Sequence, residues 1–237
     1  MQRYFSKVKI DNKLELNKDD IYHITKVMRM VNNEKIEVVY NSTVFMCEVN
    51  VNELPLVSIN KEIQNHNVNN YKTTLIIPLL KEQKMDLILQ KATELGVYEI
   101  IPVIMKRSII RLEQGKEDKK IDRWNKICKE ASEQSKRTDI PLITNVKTLK
   151  ELKDIEGLKL VCSTIEKEKT IKKFLTDNQN YDKINIVVGP EGGISEDEEE
   201  LLVNLGFTRV SLGDRIMRVE TVPIFILSAL NYEFMEW

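Results

Sequence analysis

The chain has 237 residues, with 36 Lys and Arg against 37 Asp and Glu and an apolar fraction of 42%. That length holds one large domain, or a medium one with a small companion, and a formal net charge of −1 excludes a protein that coats nucleic acid over its whole surface. No apolar run approaches the roughly 18 residues of a membrane span, and the polar opening MQRYFSKVKIDNK lacks a signal-peptide core, so a cytoplasmic protein without a membrane partner is expected. Cys47, Cys128 and Cys162 are odd in number, far apart and without metal-ligand spacing, which predicts reduced thiols and no metal site.

The first 64 residues are rich in short β-like runs. KIEVVYNSTVFMCEVN clusters Val, Ile, Phe and Tyr around the turn signal Asn41-Ser42. Before it, KDDIYHITKVMRM places Ile21, Ile24, Val27 and Met28 at helical spacing, with Asp19 or Asp20 as the N-cap. QNHNVNNY, residues 64 to 71, has no periodicity and reads as a linker. A small β-rich domain over 1–70 followed by a second domain over 71–237 is therefore expected.

From Lys72 onward strands and helices alternate. TTLIIPLL is a buried strand, and EQKMDLILQKATELG puts Met85, Ile88, Leu89, Ala92 and Leu95 on one helical face, with Gly96 as its stop. VYEIIPVIM is the next strand, and KKIDRWNKICKEASEQS carries Ile121, Trp124, Cys128 and Ala131 at helical spacing. LKLVCST, KINIVVG and TRVSLG are further strands, with helices between them and a last helix from about Val222 to Phe234. This order predicts an α/β fold: a mostly parallel sheet with helices on both faces, whose ligands bind beyond the carboxyl ends of the strands.

Charge is unevenly spread. Residues 105–150 hold thirteen Lys and Arg against seven acids, and residues 151–200 hold thirteen acids against seven bases. A local basic surface attracts phosphate even on a neutral protein, although a solvated lysine-rich helix face would show the same count.

The chain has eight glycines, none before Gly96, yet Gly189, Gly192 and Gly193 fall within five residues in INIVVGPEGGISEDEEELL. Here a strand leads through Gly189-Pro190-Glu191-Gly192-Gly193 into a helix that Ser195 and Glu198 open as a capping box. Helix N-termini attract anions, but Glu191 and the acids at 196–200, with no Lys or Arg nearby, would repel a polyphosphate. A neutral or cationic ligand fits better; a tight turn without a ligand is the plain alternative. LGDRIMRVETVPIF, residues 212 to 225, also follows a strand. Gly213 permits a sharp exit, Thr221 is the expected cap and Pro223 suits the first turn of the closing helix. Arg215, Arg218 and Glu220 alternate with Ile216, Met217 and Val219, which suggests a half-buried pocket; alternatively, Arg215 and Glu220 simply form an ion pair.

VVGPEGGIS followed by LGDRIMRVETVP resembles two signature loops of the RsmE family of SPOUT-class RNA methyltransferases. RYF at 3–5, His23 to Arg29, KATELGVYEIIPV at 91–103, RSII at 107–110 and RWNKICKEASEQSKRTDIP at 123–141 extend the resemblance, in order, over essentially the whole chain. Asn33-Glu34 stands where the family usually has Gly-Asp, and Lys106 where it often has Glu. The resemblance implies an N-terminal PUA-like β-barrel, a C-terminal α/β domain with a deep trefoil knot, S-adenosyl-L-methionine as methyl donor, a homodimer, and methylation of N3 of a uridine in small-subunit (16S) ribosomal RNA. The donor site would comprise Thr164, Gly189, Pro190, Glu191, Gly192, Gly193, Leu212, Gly213, Ile216 and Met217. Arg3, His23, Arg29, Arg107, Arg123 and Arg137 would contact RNA.

Uracil N3 becomes nucleophilic only as its proton leaves, and it lies on the Watson–Crick edge, so the base must be unpaired or turned out. Arginine is too basic to take that proton. Arg218 or Arg215 is therefore expected to donate to a uracil carbonyl oxygen, with Glu220 or a water as proton acceptor, or Glu220 as the partner that orients an arginine. The competing readings are a non-catalytic RNA-binding ribosome-assembly factor, an adenine-nucleotide module, and a knotted methyltransferase acting at another RNA position.

Overall fold

A computed structural model of the chain describes residues 1–63, 71–111, 115–178 and 181–234. The linker expected at 64–71 lies outside these residues except for Tyr71, which is buried. The chain divides into two compact units: Met1–Val68 with Ser132–Asp139, and Asn69–Ala131 with Ile140–Trp237.

In the first unit the described strands are β1 (Arg3–Phe5), β2 (Lys9–Ile10), β3 (Lys13–Glu15), β4 (Lys35–Tyr40), β5 (Thr43–Glu48) and β6 (Leu56–Ile63), ordered β1-β4-β5-β6-β3-β2 in one sheet. Its pairings are antiparallel except β1 with β4. The β4–β5 hairpin turns on Asn41 (φ 48°) and Ser42 (φ 63°), the left-handed pair that a type I′ turn requires. Tyr4, Leu14, Ile24, Ile36, Val38, Phe45 and Val57 form the core.

Helix α1 (Lys18–Tyr22) is capped by Asn17, whose side chain accepts from the Asp20 amide, rather than by Asp19 or Asp20, which lie inside the first turn. It then widens into a π-helical segment, His23–Val27. Ile24 is buried, whereas Val27 and Met28 are exposed. The expected apolar face fails there because a π turn has more than 3.6 residues, so the i+3 and i+4 positions rotate out of register.

The second unit contains the described elements β7 (Lys72–Pro78), α2 (Glu82–Glu94), β8 (Glu99–Ile104), α3 (Glu117–Gln134, whose last turn is grouped with the first unit), β9 (Leu142–Ile143), β10 (Lys147–Thr148), β11 (Leu158–Cys162), α4 (Ile171–Asp177), β12 (Lys183–Val187), α5 (Glu196–Asn204), β13 (Thr208–Val210) and α6 (Thr221–Phe234). The sheet runs β10-β8-β7-β12-β11-β13, with β9 also on β8, and every pairing is parallel. Side chains alternate between two cores. Leu75, Ile77, Ile100, Leu160 and Ile186 face the layer of α2 and α6, while Ile76, Ile101, Val161 and Val187 face α5. Helices thus cover both faces, as the alternation of elements predicts.

Met85, Ile88, Leu89 and Ala92 of α2 are essentially inaccessible, each large side chain contributing roughly 1.5–3 kcal/mol by leaving water. Gly96 (φ 86°) stops this helix in a Schellman arrangement: its amide donates to Thr93 O and that of Val97 to Ala92 O. Helix α6 begins at Thr221 rather than Val222, so the residue expected as a cap is inside the helix. No helix among the described residues is long and apolar enough to cross a membrane.

Candidate functional site

Because all strands of the second sheet point the same way, the loops after β7, β8, β11, β12 and β13 leave from one edge. Two of these are the glycine loop (189–193) and the segment 212–220. The capping box at the start of α5 is present: the Ser195 hydroxyl and amide both donate to Glu198, at 2.7 and 3.2 Å. Glu198 is buried and its other oxygen accepts from the Lys106 amide at 2.7 Å, tying the loop after β8 to the head of α5.

Individual glycines serve different ends. Gly193 has φ +73°, a left-handed conformation that other L-residues rarely adopt. A Cβ on Gly189 would stand 2.7 Å from Ile194 Cγ1, and one on Gly192 would stand 3.0 Å from Arg107 Cβ. At these two positions the missing side chain makes room for the protein's own packing, a need that sequence reasoning had attributed to a ligand.

The expectation that no cation lies near this loop is corrected by the fold. Lys84, in the first turn of α2, places Nζ 3.1 Å from Glu191 Oε1 and 3.5 Å from Glu220 Oε2. Lys106 pairs with Asp197, and Arg107 donates to Gly192 O (3.1 Å) and Ile194 O (3.4 Å). These bases are bound to loop acids and carbonyls, so they do not form a free phosphate cradle. Hydrogen bonding to Glu191, with the charges of both acids, outweighs desolvation and raises the Lys84 pKa. Burial alone would raise that of Glu191, but backbone bonding and Lys84 hold it below the usual carboxylate value.

Glu220 pairs with Lys84 and not with Arg215. Its Oε2 is shut off from solvent and makes no hydrogen bond within normal geometry, the 3.5 Å contact being a Coulombic one. Arg215 and Arg218 are exposed, and neither side chain carries an ion pair among the described residues. Ile216 is 85% exposed, which corrects the expectation of a half-buried apolar alternation; Met217 and Leu212 are half-buried and Val219 is buried. Thr164, after β11, and Gly213 are exposed. With Lys84, Lys106 and Arg107 already engaged, the acids of these loops fit a cationic donor better than a polyphosphate.

The candidate RNA contacts separate. Arg3 is 7% exposed, donates to Glu37 at 2.9 Å and to the carbonyls of Lys136 and Arg137, and is thus a packed cation rather than an open one. His23 is half-buried with Nδ1 2.9 Å from the Tyr4 hydroxyl. Arg123 pairs with Asp86, and Arg137 with Asp139 at 2.7 Å. Arg29 is exposed with φ 52°. Lys84 and the strapping role of Arg107 escaped sequence reasoning. Lys84 and Glu191 are 107 positions apart, and no local pattern marks their pairing.

The family model described as an RNA methyltransferase domain matches residues 67–231, a span that takes in the parallel sheet and both glycine-bearing loops. Ribosomal RNA small subunit methyltransferase E of Bacillus subtilis (strain 168) is 32% identical, the alignment covering 98% of this chain and 97% of that protein. Among solved structures, ribosomal RNA small subunit methyltransferase E from Neisseria gonorrhoeae, bound to S-adenosyl methionine, superposes with a TM-score of 0.88 at 30% identity, covering 99% and 98% of the two chains. A Legionella pneumophila methyltransferase solved with bound SAM gives 0.89 at 27% identity, covering 98% and 97%. The chain belongs to the ribosomal RNA small subunit methyltransferase E family.

Proposed function

We propose that this protein transfers a methyl group from S-adenosylmethionine to N3 of a uridine in 16S ribosomal RNA. The observation that carries this reading is the meeting of the glycine loop and the 212–220 segment on Lys84, whose charge is taken up by Glu191 and Glu220. S-adenosylmethionine, when bound, supplies a methyl group on a cationic sulfur. Thr164, Gly189–Gly193, Leu212, Gly213 and Met217 would hold it; Ile216, open to solvent, would close over it or face RNA. The relatives' names and the two SAM-bound structures support the choice of donor.

Arg218 and Arg215, exposed and unpaired by acids, are free to donate to uracil carbonyl oxygens and stabilise the charge that forms as the N3 proton leaves. Glu220 is already engaged by Lys84, which favours a holding role for it and leaves water as the proton acceptor. Alignment of the base and the donor would supply most of the acceleration, up to roughly 7–11 kcal/mol.

The reading includes a PUA-like barrel over residues 1–70 that docks RNA, a donor domain over 71–237, and a trefoil knot formed where the 189–220 segment threads. We further place the protein in the cytoplasm, where ribosomes are assembled, as a homodimer. Phe225 (39% exposed) and Tyr232 (90%) lie seven residues apart on α6, on one face with Ser228, and an uncovered aromatic stripe of this kind suits a second copy. Of the RNA contacts, Arg29 and His23 remain the strongest, with Lys119, Lys120, Arg123 and Lys126 adding basic surface on α3.

The test is incubation with radiolabelled S-adenosylmethionine and unmethylated small subunits or 16S RNA, followed by digestion to nucleosides. Label in 3-methyluridine is expected. RNA binding without transfer would favour an assembly factor, and label in another nucleoside would reassign the target.

A further inference from the structure

We propose that Lys84 is a positioning residue whose ammonium clamps the two loops of the donor site together, through Glu191 on one and Glu220 on the other. The inference rests on the reading of these loops as the S-adenosylmethionine site. Three elements that are far apart in sequence converge here: α2, the loop that follows β12, and the segment that leads from β13 into α6. No hydrogen bond or ion pair among the described residues joins the glycine loop directly to 212–220. Lys84 contacts both, at 3.1 and 3.5 Å.

The geometry is that of a bridge rather than a surface pair. Side-chain exposures are 33% for Lys84, 25% for Glu191 and 17% for Glu220, and the Glu220 oxygen facing Lys84 is sealed from solvent without a hydrogen bond. A sealed carboxylate oxygen without a partner is costly, so Lys84 is the group that makes this position of Glu220 tolerable. Without it, two carboxylates on separate loops would face each other across the site, and like charges at short range in a partly dry setting repel.

Glu191 and Glu220 together carry two negative charges against one on Lys84, so the cluster has a net charge of −1. That matches a donor with one net positive charge, whereas the product lacking the methyl is neutral. Lys84 therefore does two things that pull in opposite directions: it holds the loops at their spacing, and it moderates the attraction for a cation. Comparison of S-adenosylmethionine with S-adenosylhomocysteine separates the two, because loss of loop spacing weakens both ligands and loss of a positive charge favours the first.

The experiment is calorimetric titration of wild type, Lys84→Met, Lys84→Arg and the double variant Lys84→Met with Glu220→Gln, using both ligands, with melting temperatures recorded alongside. We expect Lys84→Met to weaken both ligands by about tenfold, S-adenosylhomocysteine the more, with Lys84→Arg near wild type and the double variant partly recovered because the repulsion is gone. Should Lys84→Met melt early, Lys84→Arg against the double variant, which carries no bare pair of acids, gives the same comparison. Wild-type affinity in Lys84→Met, or full wild-type affinity in the double variant, which has no ammonium to join the loops, would overturn the clamp while leaving the donor site standing. Failure of the wild-type protein to bind either ligand would remove the site reading and the clamp with it.

Discussion

The Arg107 guanidinium donates to the carbonyl oxygens of Gly192 and Ile194, and its Cβ lies 3.0 Å from where a Gly192 Cβ would stand. This arginine from the loop after β8 thus braces the glycine loop from outside, although its sequence context pointed to RNA. Arg107→Ala is expected to weaken S-adenosylmethionine binding by about tenfold in a calorimetric titration, with RNA affinity in a filter assay nearly unchanged. The reverse pattern would return Arg107 to the RNA surface.

Arg29 holds a left-handed backbone at φ 52° just after the π-helical segment, with its side chain in solvent. A non-glycine residue there costs on the order of 1–2 kcal/mol, and glycine relieves it at the expense of a more flexible unfolded chain. Arg29→Gly should therefore leave the melting temperature unchanged or raise it. It should also weaken binding to a 16S RNA fragment and reduce the salt dependence of that binding by about one counterion. Lower stability with unaltered RNA affinity would make Arg29 a structural residue only.

Glu37 accepts from Arg3 at 2.9 Å and Lys136 at 3.0 Å. Burial alone would raise its pKa, but these two cations hold it below its usual 4.5. A carboxylate lowered in the folded state adds stability that is present above the unfolded value and is lost as pH falls through the folded one. Glu37→Gln is expected to cost roughly 1–2 kcal/mol at pH 7, discounted for the solvent access Glu37 keeps. Denaturant melts of the two proteins should converge as pH drops below 4.5. A gap that persists in acid would mean that packing, not charge, is lost.

Arg218 is exposed and carries no ion pair among the described residues, so its removal should leave the fold intact. Arg218→Ala is expected to lower the methyl-transfer rate by about a hundredfold while the donor dissociation constant stays near wild type. Unchanged turnover would pass its proposed role to Arg215.

Gly189 differs from Gly213 in what surrounds it. A Cβ on Gly189 meets Ile194, whereas one on Gly213 meets nothing within 4 Å and is opposed only by φ +113°. Gly189→Ala should destabilise by about 1–3 kcal/mol through overpacking, measured by denaturant melts. Equal stability would show that Ile194 swings aside without cost.

Much of this protein was legible in its residues, for local reasons. KINIVV reads as a strand because it is a short, almost unbroken apolar run, as a strand covered on both faces should be, and the α2 face of Met85, Ile88, Leu89 and Ala92 obeys the 3.6 period of a helix. Gly96, the Asn41-Ser42 pair and the Ser195–Glu198 box act within a few residues of themselves. Where the local rule was outcompeted, expectation and structure parted: the π-helical segment turned Val27 and Met28 outward, Asn17 took the cap expected of Asp19 or Asp20, and Ile216 stands in solvent.

By itself, then, the chain determined its alternation of strands and helices, its two glycine-bearing loops and its family, because these are properties of neighbouring residues or of ordered motifs. Only tertiary structure decided which charges meet. Arg3 was drawn out of solvent onto Glu37, Arg107 was set against Gly192, and Lys84 was brought to Glu191 and Glu220. A Coulombic or hydrogen-bonded pairing depends on distances of a few ångströms, and separation along a chain of 237 residues carries no record of such distances until the sheet has placed its loops side by side.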